Sequence, residues 1–341
     1  MKRKLRIGVI GLVHDHVWGV LDQFKAIGNV ELRCAADVNE PLLEKVRELG
    51  IRSTYRHYED LLEKEKIDAV IVYTENSRAV DVTQVAAEQG LHVMVEKPMA
   101  ATLEQAQRMR RAAEKSGTKL MVNYPTTWHP ATKHACKLAK QGAIGHVYQV
   151  WRRTGHEGPK EIGCSPYFYE WLYDAKLNGA GAFMDFCCYG VNLCRWILGV
   201  ADKATALGGT YVRDYLTVDD NAALLLGYKK AMGIIEGTWS QIGHGGPIQY
   251  PFVVRGSEGT IAAGLDVQVY TAEKGNWEKI EPMPLEEGAQ NGPQHFVKCL
   301  LEDHIFEDTV SPSFNVEVQA MLEAGLISIR ENRTVPLSEL I

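Results

Sequence analysis

No stretch of the chain approaches the roughly 18 consecutive apolar residues that a membrane span requires, so no membrane partner is expected. Cysteine is scarce and unpatterned: there are seven residues, an odd number, with no C-x-x-C spacing. That argues against a disulfide frame and for reduced thiols in a cytoplasmic protein. The adjacent Cys187 and Cys188 read as core thiols rather than metal ligands. There is no internal repeat, no low-complexity tract and no long run of one charge sign. With a formal net charge of -6, a nucleic-acid surface is not expected. The basic opening Met1-Lys2-Arg3-Lys4 leads into a strand and a turn rather than the apolar region of a secretory signal.

What is present is ordinary in bulk. The 341 residues, 45% apolar and 23% charged, suit a globular protein of roughly two domains. Up to residue 122, strand and helix alternate. Strands are expected at 5–10, 30–36, 51–55, 67–73, 92–96 and 119–122. Between them Val17, Val20, Leu21, Phe24 and Ile27 recur at helical spacing, and helices are expected at about 77–89 and 102–116. Asn39 and Pro41 start a helix that buries Leu42, Val46 and Leu49, and Thr102 with Gln105 makes a capping box. The run 67–73 is nearly all apolar, as a parallel strand covered on both faces should be. This alternation predicts a doubly wound parallel sheet.

In that fold the first strand–helix turn is the phosphate site, and here its glycine pattern is broken. With Gly11 as the first glycine of G-x-G-x-x-G, Val13 and His16 stand at the second and third. The amides of Leu12, Val13 and His14 remain candidates to face a pyrophosphate from the helix N-terminus. Val13 should hinder the close approach that the second glycine permits. His14-Asp15-His16 invites a metal reading, but no third partner stands nearby, so helix-starting polar residues explain it better and no metal is expected. Asp37, ending the second strand, can accept both ribose hydroxyls, and its charge disfavours a 2′-phosphate, favouring NAD over NADP. A helix-entry or turn role is the alternative for Asp37.

The run from His92 to Ala100 reads as a short buried strand ending in Glu96-Lys97-Pro98. A lysine just past the C-terminal end of such a strand stands where open α/β sheets place their ligands. Partial burial there would make its ammonium useful in proton chemistry, whereas a surface corner would leave it merely solvated.

From Asn123 the pattern changes. A polar aromatic connector reaches Pro130, which suits the start of a helix running to about Gly142. Strands are expected at 147–153, 204–212, 221–228, 232–239, 252–255, 259–263 and 267–270, with Lys229-Lys230 in a hairpin. Helices return at about 294–301 and 316–330. Strands without helical crossovers predict a mainly antiparallel sheet, in a substrate and assembly domain spanning 123–341. Its C-terminal helix is expected to pack back on the first domain, 1–122. Within it, a helix starting near Gly181 would carry Asp185, Tyr189 and Asn192 at i, i+4 and i+7, one polar stripe on an otherwise apolar helix. The aromatic run at 167–173 suits either sugar faces or a subunit interface. Arg153 and His156 are candidates to meet substrate hydroxyls, or else surface residues.

With Glu96-Lys97-Pro98 and the Asp185 segment both in hand, the chain resembles the glucose–fructose oxidoreductase / inositol dehydrogenase / MocA family. The likeness also takes in Gly8 to Gly11, Asp37, Gly142-Ala143-Ile144-Gly145 and Gly256-Ser257-Glu258-Gly259-Thr260. It implies an N-terminal Rossmann domain binding NAD or NADP, and a C-terminal domain whose open sheet face makes homodimers or homotetramers. It also implies cofactor contacts from Thr74, Glu75, Asn76, Glu96 and Lys97, although Thr74-Glu75-Asn76-Ser77 lacks the family's usual proline and following histidine. Many members carry histidine and aspartate where this chain has Tyr189 and Asn192. That looks like the branch in which a tyrosine transfers the proton.

The resemblance implies hydride transfer between nicotinamide and a sugar, polyol or related hydroxy or carbonyl compound. Lys97, Asp185 and Tyr189 are the implied catalytic groups, and Lys97, Asp185, Tyr189 and Asn192 the implied substrate-facing ones, beside the candidates Arg153 and His156 given above. A lysine in contact would favour the tyrosinate, and Tyr189 would take the alcohol proton. Two alternatives stay open: an NAD-dependent lyase or glycosidase with no net redox change, and a non-catalytic dinucleotide or ligand sensor.

Overall fold

The computed structural model describes residues 4–243 and 251–341. The chain runs β1 (Leu5–Ile10), α1 (His16–Lys25), β2 (Val30–Ala36), α2 (Glu40–Glu48), β3 (Ser53–Tyr55), α3 (Tyr58–Lys64), β4 (Ala69–Val72) and α4 (Ala79–Glu88). Next come β5 (His92–Glu96), α5 (Leu103–Ser116), β6 (Leu120–Asn123), α6 (Pro130–Lys140), β7 (Val147–Gly155), α7 (Pro166–Leu172) and α8 (Ala175–Asn178). After a π-helical turn, Phe183–Cys187, follow α9 (Cys188–Leu198), β8 (Lys203–Gly209), β9 (Asn221–Gly227), β10 (Met232–Thr238), β11 (Phe252–Gly256) and β12 (Gly259–Ala263). The chain closes with β13 (Val267–Thr271), β14 (Trp277–Ile280), α10 (Gly292–Leu301), α11 (Pro312–Glu331) and β15 (Val335–Pro336). Neither β14 nor β15 is anticipated from the sequence. Each is short, and Trp277 and Pro336 lie exposed on it, so neither shows a long apolar pattern.

The first compact unit comprises residues 1–123, 164–171 and 286–316, so two later segments return to it. Its sheet has six parallel strands in the order β3-β2-β1-β4-β5-β6, the doubly wound arrangement expected. The apolar runs form strands because both faces are covered: all of Ala69–Val72 is buried, as are Val93, Met94 and Val95. Helix α5 is capped as its sequence suggests. Thr102 Oγ1 accepts from the Gln105 amide at 3.3 Å, and Gln105 Oε1 accepts from the Ala101 amide at 3.2 Å. The order of strands reverses between β1 and β4, which opens a crevice at their carboxyl ends.

The second unit comprises 124–163, 172–285 and 317–341. Among the described residues its nine strands lie in the order β14-β13-β12-β11-β7-β10-β9-β8-β15. The pairs are antiparallel except β7 with β10, so the sheet is mixed. Alternation is plain in β9, where Ala222, Leu224 and Leu226 are buried while Ala223 and Leu225 face out. The buried face receives the π-helical turn and α9. There Gly190 packs so close that an added Cβ would lie 2.6 Å from Ile235 Cγ2 of β10.

Candidate functional site

At the carboxyl ends of β1, β2 and β4 lies a cavity of about 410 Å³, lined among others by Gly11, Val13, Asp37, Thr74, Glu75 and Arg78. Gly11 turns there with φ +82°, and any side chain would strike the Thr74 backbone. Asp37 is buried and held from both sides. Its Oδ2 accepts from the Leu12 amide at 2.6 Å and its Oδ1 from the Asn39 amide at 2.8 Å. Burial raises its pKa from the usual carboxylate value, against the lowering effect of those hydrogen bonds.

Two of the three amides expected to face a pyrophosphate are thus engaged internally, Leu12 with Asp37 and His14 with the Tyr73 carbonyl at 3.2 Å. Among the described residues the Val13 amide makes no such bond, and its side chain lines the cavity. The cavity, the carboxylate and this remaining donor fit a dinucleotide. Residues Asp37, Val13 and the Thr74-Glu75 turn would hold its adenosine half.

The end of β5 is buried. Glu96 and Lys97 are 4% and 2% exposed, so Lys97 is no surface corner. Glu96 accepts from Asn123 Nδ2 at 3.2 Å and pairs with His16 Nδ1 at 3.1 Å. His14 is also buried, and desolvation with the neighbouring charges of His16 and Lys97 holds its imidazole well below the ordinary histidine pKa. One ligand atom each from His14, His16 and Glu96 lies within 4.8 Å of the others. The third partner that the sequence lacks near His14-Asp15-His16 is therefore supplied by the fold, from the end of another strand.

The aromatic segment is divided. Phe168 and Trp171 are buried against the His14 ring, at centroid distances of 4.5 and 5.7 Å. The Ser165 amide donates to Asp15 Oδ2 at 2.7 Å. Tyr173 instead packs on Trp239 at 5.7 Å. These three rings are used internally, while Tyr167 stays exposed.

In the second unit a cavity of about 490 Å³ opens between β7, α9 and the connector before α6, with Tyr189, Arg152, His129 and Phe186 in its wall. The Tyr189 ring meets Tyr124 edge-on at 6.1 Å. The expected stripe does not share this wall. Asp185 lies in the π-helical turn, whose wider winding rotates it relative to α9. It is 7% exposed, and its Oδ2 accepts from Trp239 Nε1 at 3.0 Å, while Asn192 is fully buried. The turn is anchored by Asp219, whose two carboxylate oxygens accept from the Gly181 and Phe183 amides at 2.7 and 2.6 Å. Gly181 is required there: an added Cβ would lie 1.9 Å from the Asp219 carbonyl.

Neither Arg153 nor His156 lines this cavity. Arg153 stands beside Glu236 of the adjacent strand at 3.8 Å, and His156 packs edge-on against Phe186 at 4.9 Å. Arg152, one residue earlier, lines the cavity instead. Side chains alternate across a strand, so choosing between the two arginines is choosing a face. The burial of Val150, two residues before Arg152, is the signal that separates them.

A doubly wound sheet with a carboxylate closing its second strand defines a dinucleotide-dependent enzyme class. Residues 5–124 match the oxidoreductase family with an NAD-binding Rossmann fold, and residues 132–262 match the GFO/IDH/MocA C-terminal domain. The chain belongs to the glucose–fructose oxidoreductase / inositol dehydrogenase / MocA family, and is by class an NAD(P)-dependent dehydrogenase. It is 24% identical to the D-apiose dehydrogenase of Paraburkholderia graminis, over 96% of this chain and 87% of that protein. It is 25% identical to the scyllo-inositol 2-dehydrogenase (NAD(+)) of Bacillus subtilis, over 88% and 87%. A crystal structure of aldose–aldose oxidoreductase from Caulobacter crescentus complexed with glycerol superposes with a TM-score of 0.81 and 25% identity, over 98% of this chain and all of that one.

Proposed function

We propose that the protein oxidises or reduces a sugar or polyol with NAD, Lys97 and Tyr189 sharing the proton transfer. When bound, the nicotinamide supplies the hydride acceptor or donor. The observation that carries this reading is the burial of Lys97, at 2% exposure, directly after a strand of the dinucleotide sheet. A lysine desolvated there is a ready proton-transfer and oxygen-binding group. Tyr189, in the wall of the other unit's cavity, takes the alcohol proton, and a cation favours its phenolate. Asp185, fixed by Trp239, orients the substrate or its proton acceptor. Support for a sugar comes from the relatives named above.

The test is a screen of NAD and NADP reduction over sugars and polyols, followed by Lys97→Ala and Tyr189→Phe on the best substrate. Each variant should lose about 100-fold or more in turnover while still binding NADH. Full activity in either would sink the mechanism. An NAD-requiring elimination without net NADH would replace the dehydrogenase reading.

We further infer self-association through the open sheet face, where Leu207, Leu225 and Met232 stand exposed on the adjacent strands β8, β9 and β10. Leu225→Glu should reduce the mass measured by light scattering. A cytoplasmic site is supported by the seven free cysteines. No helix among the described residues is long and apolar enough to cross a membrane.

A further inference from the structure

We propose that the cavity beside Tyr189 recognises an anionic sugar, with Arg152 binding its carboxylate. The inference rests on the reading that this cavity receives the substrate.

Arg152 is placed on the inner face of β7, where it pairs in register with Phe252 and Ile235 on the two flanking strands. Both neighbours are buried apolar residues, so neither compensates its charge. Among the described residues Arg152 forms no ion pair. Its hydrogen bond runs from Nε to Thr154 Oγ1, at 3.2 Å. Residues 244–250, outside the described set, contain no acidic side chain. Elsewhere in this unit Arg195 has Glu317 and Arg213 has Glu161, while Arg255 donates to the Gln149 side-chain oxygen. Arg153, one position on, has Glu236.

Burial pulls the Arg152 pKa down to about 10, yet it remains charged at neutral pH. A guanidinium drawn partly out of water with no carboxylate partner is costly, and a wall that needed only volume would carry an apolar residue instead. Among the described residues the remaining wall adds hydroxyl donors and no carboxylate, and it also holds Tyr189. Thr126 Oγ1 is buried without a hydrogen-bond partner, and Thr132 and Thr154 stand beside it. His129 is shifted below the ordinary histidine pKa by burial and then by Arg152 itself. Arg152 is therefore the one full positive charge among the described lining residues at neutral pH. One guanidinium fork with hydroxyl donors matches the planar, singly charged carboxylate of a uronic or aldonic acid. A phosphate dianion would call for a second cation.

The test is a calorimetric titration of the NADH-loaded protein with D-glucuronate, D-galacturonate and D-gluconate. D-glucose, D-galactose and D-glucitol are the neutral counterparts, and D-glucose 6-phosphate is the phosphate arm. At least one carboxylate should bind about tenfold or more tighter than its counterpart, the gain of a charge-assisted pair. Arg152→Gln should remove that advantage while leaving NADH affinity in place. Equal binding of acids and neutral sugars, or no binding of any acid, overturns the inference in the unaltered protein, without reliance on a variant that folds. So does an acid advantage that survives Arg152→Gln, and a preference for the phosphate arm overturns the carboxylate assignment. Because the readout is binding, the two readings fail separately. NADH formation without acid preference defeats this inference alone, and acid preference without NADH formation defeats the dehydrogenase reading alone.

Discussion

The Trp239 indole donates from Nε1 to Asp185 Oδ2 over 3.0 Å, with both residues buried. Trp239 follows β10 and is itself covered by Tyr173, so the carboxylate is held from the sheet side. Asp185 is held again from its own backbone, because the π-helical turn that carries it begins on the Asp219 carboxylate. A residue fixed on two sides can set the orientation of whatever its remaining lone pairs reach. Tyr189, one turn on, lines the cavity.

This arrangement separates stability from chemistry at Asp185. Trp239→Phe keeps an aromatic ring but removes the donor, and should cost about 1–3 kcal/mol or more in urea unfolding, because the carboxylate loses one buried hydrogen bond and the smaller ring leaves a void. Asp185→Asn keeps an oxygen that can accept from the indole, so it should cost less. Yet it should lower turnover on the substrate found by the reduction screen. An Asp185→Asn protein with unchanged turnover would leave Asp185 a purely structural residue.

His14 makes stability depend on pH in a defined direction. Its folded pKa lies well below the unfolded value near 6.5, so acidification protonates the unfolded chain first. Between the two pKa values the unfolded state binds more protons, and stability therefore falls as pH drops below about 6.5. His92, His129 and His134 are shifted downward too and act in the same sense, so the comparison must be with a variant. Between pH 6 and 5, His14→Gln should flatten the urea-unfolding free energy by up to about 1.4 kcal/mol per pH unit. Equal slopes in the two proteins would mean that His14 is protonated in the fold.

Asp37 serves the fold and the nucleotide at once. Asp37→Ser removes the charged acceptor of the Leu12 and Asn39 amides and should lose about 1.5–3 kcal/mol of stability. It also removes the charge that repels a 2′-phosphate, so the ratio of NADP to NAD affinity should rise about tenfold or more. Fluorescence titration with NADH and NADPH reads this directly. Binding of NADPH by the unaltered protein at least as tightly as NADH would refute the role given to Asp37.

The parallel sheet was legible in the sequence because its strands are continuous apolar runs, punctuated by glycines and by polar ends such as Asp37 and Glu96. The order β3-β2-β1-β4-β5-β6 is the common doubly wound one, which the alternation by itself does not specify. Residues whose meaning depends on which face they take were less legible. Trp151-Arg152-Arg153-Thr154 offers polar side chains to both faces of β7, and only the sheet around it decides that Arg152 points inward. The Asp185 segment was readable as helix, but a π-helical turn leaves no periodic trace over five residues. Contacts far apart in sequence were not readable at all. Glu96 reaches His16 from a strand 80 residues later, and the Ser165 amide finds Asp15 across 150.

Glycines in the first strand–helix unit should respond in opposite ways to the same substitution. At Gly11 the backbone is left-handed, with φ +82°, and an added Cβ would lie 2.5 Å from the Thr74 amide nitrogen. Backbone cannot yield as a flexible side chain can, so Gly11→Ala should cost about 2 kcal/mol or more. Its cavity should also lose dinucleotide, because Gly11 and Thr74 both line it. Gly19 lies in the interior of α1, and an added Cβ there meets nothing within 4 Å. Gly19→Ala should therefore stabilise by about 0.5–1 kcal/mol, since alanine restricts the unfolded chain and suits a helix. Urea melts of the two variants check both signs. Destabilisation by Gly19→Ala would show that the exposed face of α1 is covered in the assembled protein.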